Sequence, residues 1–146
     1  MRVKRSSRKP QTKRRILILD DHPLVRRGLI ALIETEPDLT VCAEAATRRE
    51  GLDAISSFTP DLVIIDLSLK DGAGLEIVKE IRLHHKRLPV LMLSMHAAPI
   101  HAERAFRAGA GGYVTKQEMG ETVLIAIRSL LSGEMYVSPK IRVGRV

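Results

Sequence analysis

Residues 16–21 read Ile-Leu-Ile-Leu-Asp-Asp, four apolar side chains in a row followed by two carboxylates. Two further runs of four apolar residues stand at 62–65 and 90–93, and the first of these also ends in an aspartate, Asp66. Apolar runs without polar alternation are typical of strands that are covered on both faces, as in a parallel sheet. The three runs therefore predict three central strands.

Weaker strand signals and helical patterns fill the chain between these runs. Residues 40–45 predict a mixed strand at a sheet edge, and residues 112–115 predict a short fifth strand. Pro23 suits the first turn of a helix and Gly109 suits a helix end. Helical patterns occupy residues 24–35, 48–57, 74–84, 98–108 and 118–132. Because strand and helix alternate five times, we predict an α/β fold with a five-stranded parallel sheet, helices on both faces and right-handed crossovers.

The charge of the chain is unevenly distributed. The sequence has 24 Lys+Arg against 17 Asp+Glu, a net charge of +7. Residues 1–15 carry eight basic and no acidic side chains, whereas residues 16–139 carry 13 basic and 17 acidic ones. The basic character therefore belongs to the chain ends. We divide the chain into a basic flexible N-terminal tail (1–15), one globular domain (16–137) and a C-terminal tail or linker stub (138–146).

Cysteine content and hydropathy limit the cellular compartments in which the protein is expected. The single cysteine, Cys42, excludes an intramolecular disulfide and suits a reducing environment. No apolar run reaches the roughly 18–20 residues that a membrane helix needs, and the apolar run after the basic N-terminus is too short for a secretory signal. An acid-free, arginine-containing start is also a feature of organelle transit peptides, but we expect a cytoplasmic protein without membrane association.

Polar residues with complementary chemistry follow four of the predicted strands. Asp20 and Asp21 end the first strand, Asp66 the third, Ser94 the fourth and Lys116 the fifth. If the strand order is 2-1-3-4-5, these residues meet at the carboxyl edge of the sheet, where parallel α/β sheets bind ligands. Converging carboxylates repel by about 4 kcal/mol per pair at about 4 Å, and a hard cation such as Mg²⁺ removes this conflict. The lysine and the hydroxyl suit an anionic phosphoryl group, so the set predicts phosphoryl transfer.

This constellation resembles the receiver domain of two-component response regulators. The resemblance rests on Asp20-Asp21, Asp66, Ser94 and the segment Tyr113-Val114-Thr115-Lys116. Residues 19–29, 66–74 and 107–116 are similar to the LuxR/NarL/FixJ type, and the likeness covers about residues 16–137. It implies a flavodoxin-like, three-layer (βα)5 receiver fold with strand order 2-1-3-4-5. It also implies a phosphoprotein that receives its phosphoryl group from a sensor histidine kinase.

The resemblance assigns a role to each residue of the set. Asp66 would be the phosphoacceptor, Lys116 would contact the phosphoryl oxygens, and Ser94 would hydrogen-bond the phosphoryl group once it is present. The implied cofactor is Mg²⁺, held by Asp20, Asp21, Asp66 and the backbone carbonyl of Ser68, with Asp20 acting through water. These roles are expectations from the family.

Two residue pairs are expected to control the response. Ser94 and Tyr113 would form a switch, in which Ser94 draws its loop inward and Tyr113 changes rotamer into the space that opens. Ser68 and His96 each lie two residues after a site residue, Asp66 and Ser94 respectively. We predict that both tune the lifetime of the phosphoryl group by influencing the attacking water.

Other polar residues have ordinary interpretations. The histidines include no pair at i, i+4 spacing and no cysteine partner, so we take them as surface residues: His22, His84, His85, His96 and His101. Taken alone, Asp20-Asp21 would be a helix cap and Lys116 a solvated strand end. Lys70 stands where many receivers carry proline, but nearby residues still supply turn chemistry: Asp71, Gly72 and Gly74.

The expected output is signalling, not enzymatic turnover. Relatives of this type usually continue into a C-terminal helix-turn-helix domain that binds promoter DNA, and this chain stops at Val146. It is therefore either a truncated transcription regulator or a stand-alone receiver acting through protein contacts. Leu124 and Ile125 widen the apolar stripe of the last predicted helix, which predicts homodimerisation that is weak or depends on phosphorylation.

Two other classes of function stay open at this point. The basic arm, residues 1–15, could bind nucleic acid without reading its sequence, with strongly salt-dependent affinity. An aspartyl-phosphatase-like enzyme would use Asp20, but the expected Asp-x-Asp spacing is absent.

Overall fold

The computed structural model describes residues 12–69 and 74–143, and at its centre is a parallel sheet. Within these residues six strands lie in the order β2-β1-β3-β4-β5-β6, and every pair is parallel. The strands are β1 (Arg14–Leu19), β2 (Leu39–Ala45), β3 (Leu62–Asp66), β4 (Val90–Ser94), β5 (Gly112–Thr115) and β6 (Tyr136–Val137). The predicted α/β fold and the order 2-1-3-4-5 are confirmed, and one short strand is added beside β5.

Helices connect successive strands and cover both faces of the sheet. They are α1 (Pro23–Glu34), α2 (Arg48–Phe58), α3 (Gly74–His84), α4 (Pro99–Ala108), α5 (Glu121–Leu131) and α6 (Pro139–Val143). The fifth helix starts later than predicted because residues Lys116–Glu118 form a turn of 3₁₀-helix. In the part of the chain that the structure describes, no helix has the length and apolarity to cross a bilayer.

Alternate side chains of the central strands belong to opposite core layers. Ile16 and Ile18 of β1 pack in the layer that contains α1 and α5, whereas Leu17 and Leu19 pack in the layer of α2, α3 and α4. Every residue of β3 and β4 is buried. Burial of one such aliphatic side chain contributes about 1.5–3 kcal/mol. The sheet is therefore a rigid platform for the residues at its carboxyl edge.

The helix ends follow from local sequence. Pro23 stands at the start of α1, and Gly109 ends α4 with a φ of 120°, as predicted. The Thr47 hydroxyl accepts a hydrogen bond from the backbone N–H of Glu50 at 3.2 Å and so caps α2. Arg82 on α3 donates to the Gly109 carbonyl at 2.8 and 3.2 Å, which ties the end of α4 to α3.

The first strand begins inside the segment predicted to be a flexible tail. Arg14 and Arg15 belong to β1. The backbone N–H of Arg15 donates to Asp61 Oδ2 at 2.7 Å, and its guanidinium donates to the Phe58 carbonyl at 2.7 Å. The tail prediction is therefore wrong for these two residues, because partners distant in the chain hold them in the sheet. Residues 1–11 lie outside the described residues.

The segment after α5 returns to the sheet. Tyr136 donates its backbone N–H to the Gly111 carbonyl at 3.1 Å, and Ser138 donates its own to the Tyr113 carbonyl at 2.9 Å. Ser138 is fully buried, and Ile141 of α6 packs in the core with an exposure of 1 %. The first part of the predicted tail or linker stub, residues 138–141, thus packs against the domain.

Candidate functional site

The structure brings the predicted site residues together at the carboxyl edge of the sheet. Asp20 follows β1, Asp66 ends β3, Ser94 ends β4, and Lys116 follows β5 directly. Asp20, Asp66 and Ser94 are buried to 99 % or more. Because β1, β3, β4 and β5 are neighbours in a parallel sheet, their ends lie side by side.

Asp66 is held from both of its carboxylate oxygens. Oδ1 accepts hydrogen bonds from the backbone N–H of Ser68 at 3.0 Å and from its hydroxyl at 3.1 Å. Oδ2 accepts from Lys116 Nζ at 3.0 Å. Burial raises the pKa of Asp66, but the Ser68 N–H and the Lys116 ammonium outweigh it and hold the pKa below its usual value. These contacts therefore favour the charged form of Asp66, although the side chain is fully buried.

Asp20 differs from Asp66 in the balance of its contacts. Its Oδ1 accepts from the backbone N–H of His22 at 2.8 Å. Its Oδ2 accepts no hydrogen bond within the described residues and lies 3.7 Å from Lys116 Nζ. Burial raises the pKa of Asp20, and the negative charge of Asp66 raises it further. Negative charge at this edge thus exceeds what one lysine neutralises.

His22 belongs to this cluster, contrary to its interpretation as an ordinary surface histidine. Its Nδ1 lies 3.0 Å from Asp20 Oδ1, 3.2 Å from Asp21 Oδ1 and 3.2 Å from Asp66 Oδ2. The side chain is 52 % exposed, but this nitrogen faces the carboxylates. The sequence has no pair of histidines at i, i+4 spacing, and a single histidine adjoining two aspartates was not predicted to belong to the site. Its position directly after Asp20-Asp21 was the available signal.

The cluster meets the requirements of a divalent cation site. Ligand atoms of Asp20, Asp21, His22 and Asp66 all lie within 4.8 Å of one another. Asp20 Oδ2 is buried without a hydrogen-bond donor, and carboxylate oxygens are the ligands that Mg²⁺ prefers. The residues present therefore fit a bound cation. The expected contribution of the Ser68 backbone carbonyl stays a prediction.

Ser94 and Tyr113 are linked through His96. The backbone N–H of His96 donates to Ser94 Oγ at 2.9 Å, and the Tyr113 hydroxyl donates to the His96 carbonyl at 2.9 Å. Tyr113 is fully buried, so its ring points inward, and burial raises the pKa of its hydroxyl. The His96 ring stacks on that of His101 with centroids 4.4 Å apart. The predicted switch residues thus share one short chain of hydrogen bonds.

The loop after Asp66 is described only in part. Lys70, Asp71 and Gly72 lie outside the described residues, so the turn predicted there stays a prediction. Gly74 begins α3, and a Cβ at this position would lie 2.5 Å from the Leu67 carbonyl oxygen. Only glycine fits this close approach to the backbone beside Asp66.

Comparison with known proteins identifies the class to which this fold and site belong. A sequence model of the response regulator receiver domain matches residues 16–128, so the chain belongs to the response regulator receiver domain family.

Within that family the chain is of the NarL/LuxR type. It is 35 % identical over 135 residues to the nitrate/nitrite response regulator protein NarL of Escherichia coli, covering 91 % of this chain and 60 % of that protein. It is 33 % identical over 128 residues to the transcriptional regulatory protein UhpA of the same organism, covering 88 % of this chain and 64 % of that protein. The chain thus spans about three fifths of the length of these relatives.

A solved structure agrees with both the fold and the type. A LuxR-family two-component response regulator from Aurantimonas sp. SI85-9A1 superposes with a TM-score of 0.87 at 38 % sequence identity. The match covers 91 % of this chain and 95 % of that one.

Proposed function

We propose that this chain is a phospho-acceptor receiver, in which Mg²⁺-dependent phosphorylation of Asp66 by a sensor histidine kinase switches an output. The observation that carries the proposal is the buried Asp66 carboxylate, whose Oδ2 lies 3.0 Å from Lys116 Nζ beside two further aspartates. A buried, ionised carboxylate is a nucleophile, and the adjacent lysine is placed to stabilise charge on a transferring group.

The proposed reaction is a transfer of one phosphoryl group to Asp66. A carboxylate oxygen attacks phosphorus and forms a new P–O bond. The P–N bond of the phosphohistidine, or the P–O bond of a small phosphodonor, breaks and its electron pair leaves with the donor. Lys116 stabilises the phosphoryl oxygens, and the Ser68 N–H keeps the carboxylate oriented. The chain promotes its own modification and is not an enzyme with turnover.

The proposed cofactor is Mg²⁺ at the acidic cluster. Asp20, Asp21, Asp66 and the backbone carbonyl of Ser68 would hold it, with Asp20 acting through water. When bound, the ion supplies positive charge to the carboxylates and to the phosphoryl oxygens. The excess of buried negative charge over the single Lys116 ammonium supports this proposal.

The proposed switch starts at Ser94. Its hydroxyl would turn to the phosphoryl group and give up the hydrogen bond that it accepts from His96. Because the His96 carbonyl also accepts from Tyr113, the ring and the surface formed by α4, β5 and α5 would shift together.

Ser68 and His96 would tune the lifetime of the phosphoryl group. Dephosphorylation rates of Ser68→Asn and His96→Ala test this role, and rates equal to that of wild type would contradict it.

The proposed output is transcription regulation by a longer protein. The relatives that the chain matches include a transcriptional regulatory protein and a nitrate/nitrite response regulator. DNA binding would reside in a C-terminal helix-turn-helix domain outside these 146 residues. A stand-alone receiver that acts through protein contacts is the alternative. Homodimerisation that strengthens on phosphorylation would connect the site to the output.

The test is intact mass measurement after incubation with acetyl phosphate and Mg²⁺. The chain should gain the mass of one phosphoryl group, and Asp66→Ala or removal of Mg²⁺ with EDTA should abolish the gain. Asp53→Ala, which changes an exposed aspartate of α2, is the matched control and should be phosphorylated normally. No gain by the wild-type chain, or an equal gain by Asp66→Ala, would contradict the proposal.

A further inference from the structure

His22 brings a nitrogen atom to a cluster whose other candidate metal-ligand atoms are carboxylate oxygens. Its Nδ1 contacts one oxygen of each of three aspartates, at 3.0 to 3.2 Å. His22 precedes Pro23 at the start of α1, and its backbone N–H also donates to Asp20 Oδ1. The backbone and the ring are thus both anchored at the cluster.

The shortest of these separations is a hydrogen bond between the His22 ring and Asp20 Oδ1, and all three also match the spacing of neighbouring ligands of one cation. With metal–ligand bonds of about 2.0–2.2 Å, adjacent ligand atoms lie about 3.0–3.5 Å apart in octahedral or tetrahedral geometry. A second observation points to a cation at the same place. Asp20 has a side-chain exposure of 2 %, and its Oδ2 accepts no hydrogen bond from the described residues and has only the ion pair with Lys116 Nζ at 3.7 Å, an ammonium that also serves Asp66. A cation held by this cluster would offset the charge of the buried carboxylates, and His22 Nδ1 is among the atoms placed to hold it.

We infer that His22 is a protein ligand of the cation, and that it gives the site a preference for divalent cations that accept nitrogen, such as Mn²⁺, over Mg²⁺. This inference rests on the proposed function in one respect, since both place a divalent cation among the same carboxylates. Mg²⁺ favours oxygen ligands and water, whereas first-row transition metals accept imidazole readily. The neutral ring offers the lone pair of Nδ1 when Nε2 carries the proton.

The competing interpretation makes His22 only a hydrogen-bond donor to the carboxylates. In that case the ring competes with every cation alike, and its removal raises the affinities for Mg²⁺ and Mn²⁺ together. If His22 is a ligand, its removal lowers the affinity for Mn²⁺ and changes the affinity for Mg²⁺ much less. The ratio of the two affinities therefore separates the two roles.

The direct test is electron spin-echo envelope modulation of Mn²⁺ bound to the full chain. We expect nitrogen coupling from a coordinated imidazole, and a changed pattern when the histidine nitrogens are isotopically labelled. His22→Ala should abolish the coupling. His101→Ala is the matched control, because it removes an imidazole that stacks on His96 away from the acidic cluster, and it should leave the coupling intact.

Competition between the two cations gives a second readout. Removing even an outer-shell partner of a metal ligand costs roughly tenfold or more in affinity, so His22→Ala should lower the Mn²⁺/Mg²⁺ affinity ratio by at least that factor. Thermal unfolding of His22→Ala without cation checks that the variant folds. The labelling experiment on the wild-type chain needs no variant and decides the inference even if His22→Ala is unfolded.

The outcomes distinguish this inference from the proposed function. If Mn²⁺ binding is lost in Asp21→Asn but wild type shows no nitrogen coupling, or His22→Ala keeps it, His22 is not a ligand and the proposed cation site stands. If Mn²⁺ binding is insensitive to Asp21→Asn, no cation lies among these carboxylates, and both proposals are overturned.

Discussion

Two clusters of charged side chains lie at opposite ends of the sheet, and they differ mainly in burial. At the amino end, Arg128 on α5 donates to Asp38 at 2.8 and 3.0 Å and to Glu36 at 2.6 Å, and all three side chains are partly exposed. At the carboxyl end, Lys116 contacts Asp66 at 3.0 Å, and both side chains are buried or nearly so. The same residue types thus form a surface ion-pair network at one end and the candidate site at the other.

The pKa values of two aspartates show the effect of this difference in burial. Hydrogen bonds from Arg128 lower the pKa of Asp38, so its charged form is favoured by the fold. Burial raises the pKa of Asp20, so its charged form is disfavoured. A network that satisfies its members supports structure. At the carboxyl end the fold buries more carboxylates than it neutralises with counter-charges, and this excess negative charge favours binding of a cation. The excess distinguishes the candidate site from the surface network.

The largest expected effect is on the lysine of the buried cluster. Lys116→Met should slow phosphorylation of Asp66 by acetyl phosphate by roughly 10²–10³-fold, the usual loss when a charge-stabilising donor is removed from a reaction site. Initial rates followed by intact mass measure this effect. Lys79→Met, which removes an exposed lysine paired with Glu76 on α3, is the control and should react at the wild-type rate. Equal rates for the two variants would remove Lys116 from the reaction.

A smaller effect, a gain in stability, is expected when the charge of Asp20 is removed. Without divalent cation, Asp20→Asn should raise the free energy of unfolding slightly, because burial raises the pKa of this carboxyl and so makes its charged form unfavourable in the fold. Added Mg²⁺ should stabilise this variant less than wild type. Chemical denaturation with EDTA and with Mg²⁺ measures both quantities. If Asp20→Asn is less stable than wild type without cation, and Mg²⁺ stabilises both proteins equally, the charges of the site are already balanced.

The smallest effect is expected in the exposed network. Arg128→Gln should cause a slight loss of stability at pH 7 that disappears in high salt, since salt screens exposed charges. Because the pKa of Asp38 is lowered in the fold, the contribution of this pair is fully present above the ordinary carboxyl pKa. It is lost as the pH falls through the lowered value. Thermal unfolding of both proteins across pH and salt checks this, and a loss that persists at high salt would assign Arg128 a packing role instead.

The central strands and most site residues were predictable because their signals are local. Runs such as 62–65 are apolar throughout because β3 is covered on both faces, and Asp66 follows at the point where the strand leaves the core. Chain order then places strand ends side by side in a parallel sheet. The contact of Asp66 with Lys116, 50 residues apart, follows from that topology.

The features that were missed depend on contacts that the local pattern does not encode. Arg15 reads as part of a basic tail, but its pairing with β2 and its bonds to Asp61 and Phe58 hold it in β1. β6 has two residues, too few for any periodicity. The direction of the His22 ring is set by the start of α1 and by carboxylates from two strands, and the sequence shows only that His22 adjoins two aspartates.

The return of the chain to the sheet after α5 has a practical consequence for handling the protein. The backbone bonds from Tyr136 to Gly111 and from Ser138 to Tyr113 use the outer edge of β5, which would otherwise be open to strand addition by another molecule. A fragment cut at Leu131 would expose that edge and uncover the core position filled by Ile141. Such a fragment should aggregate on storage, and an expression boundary for this domain belongs beyond residue 143.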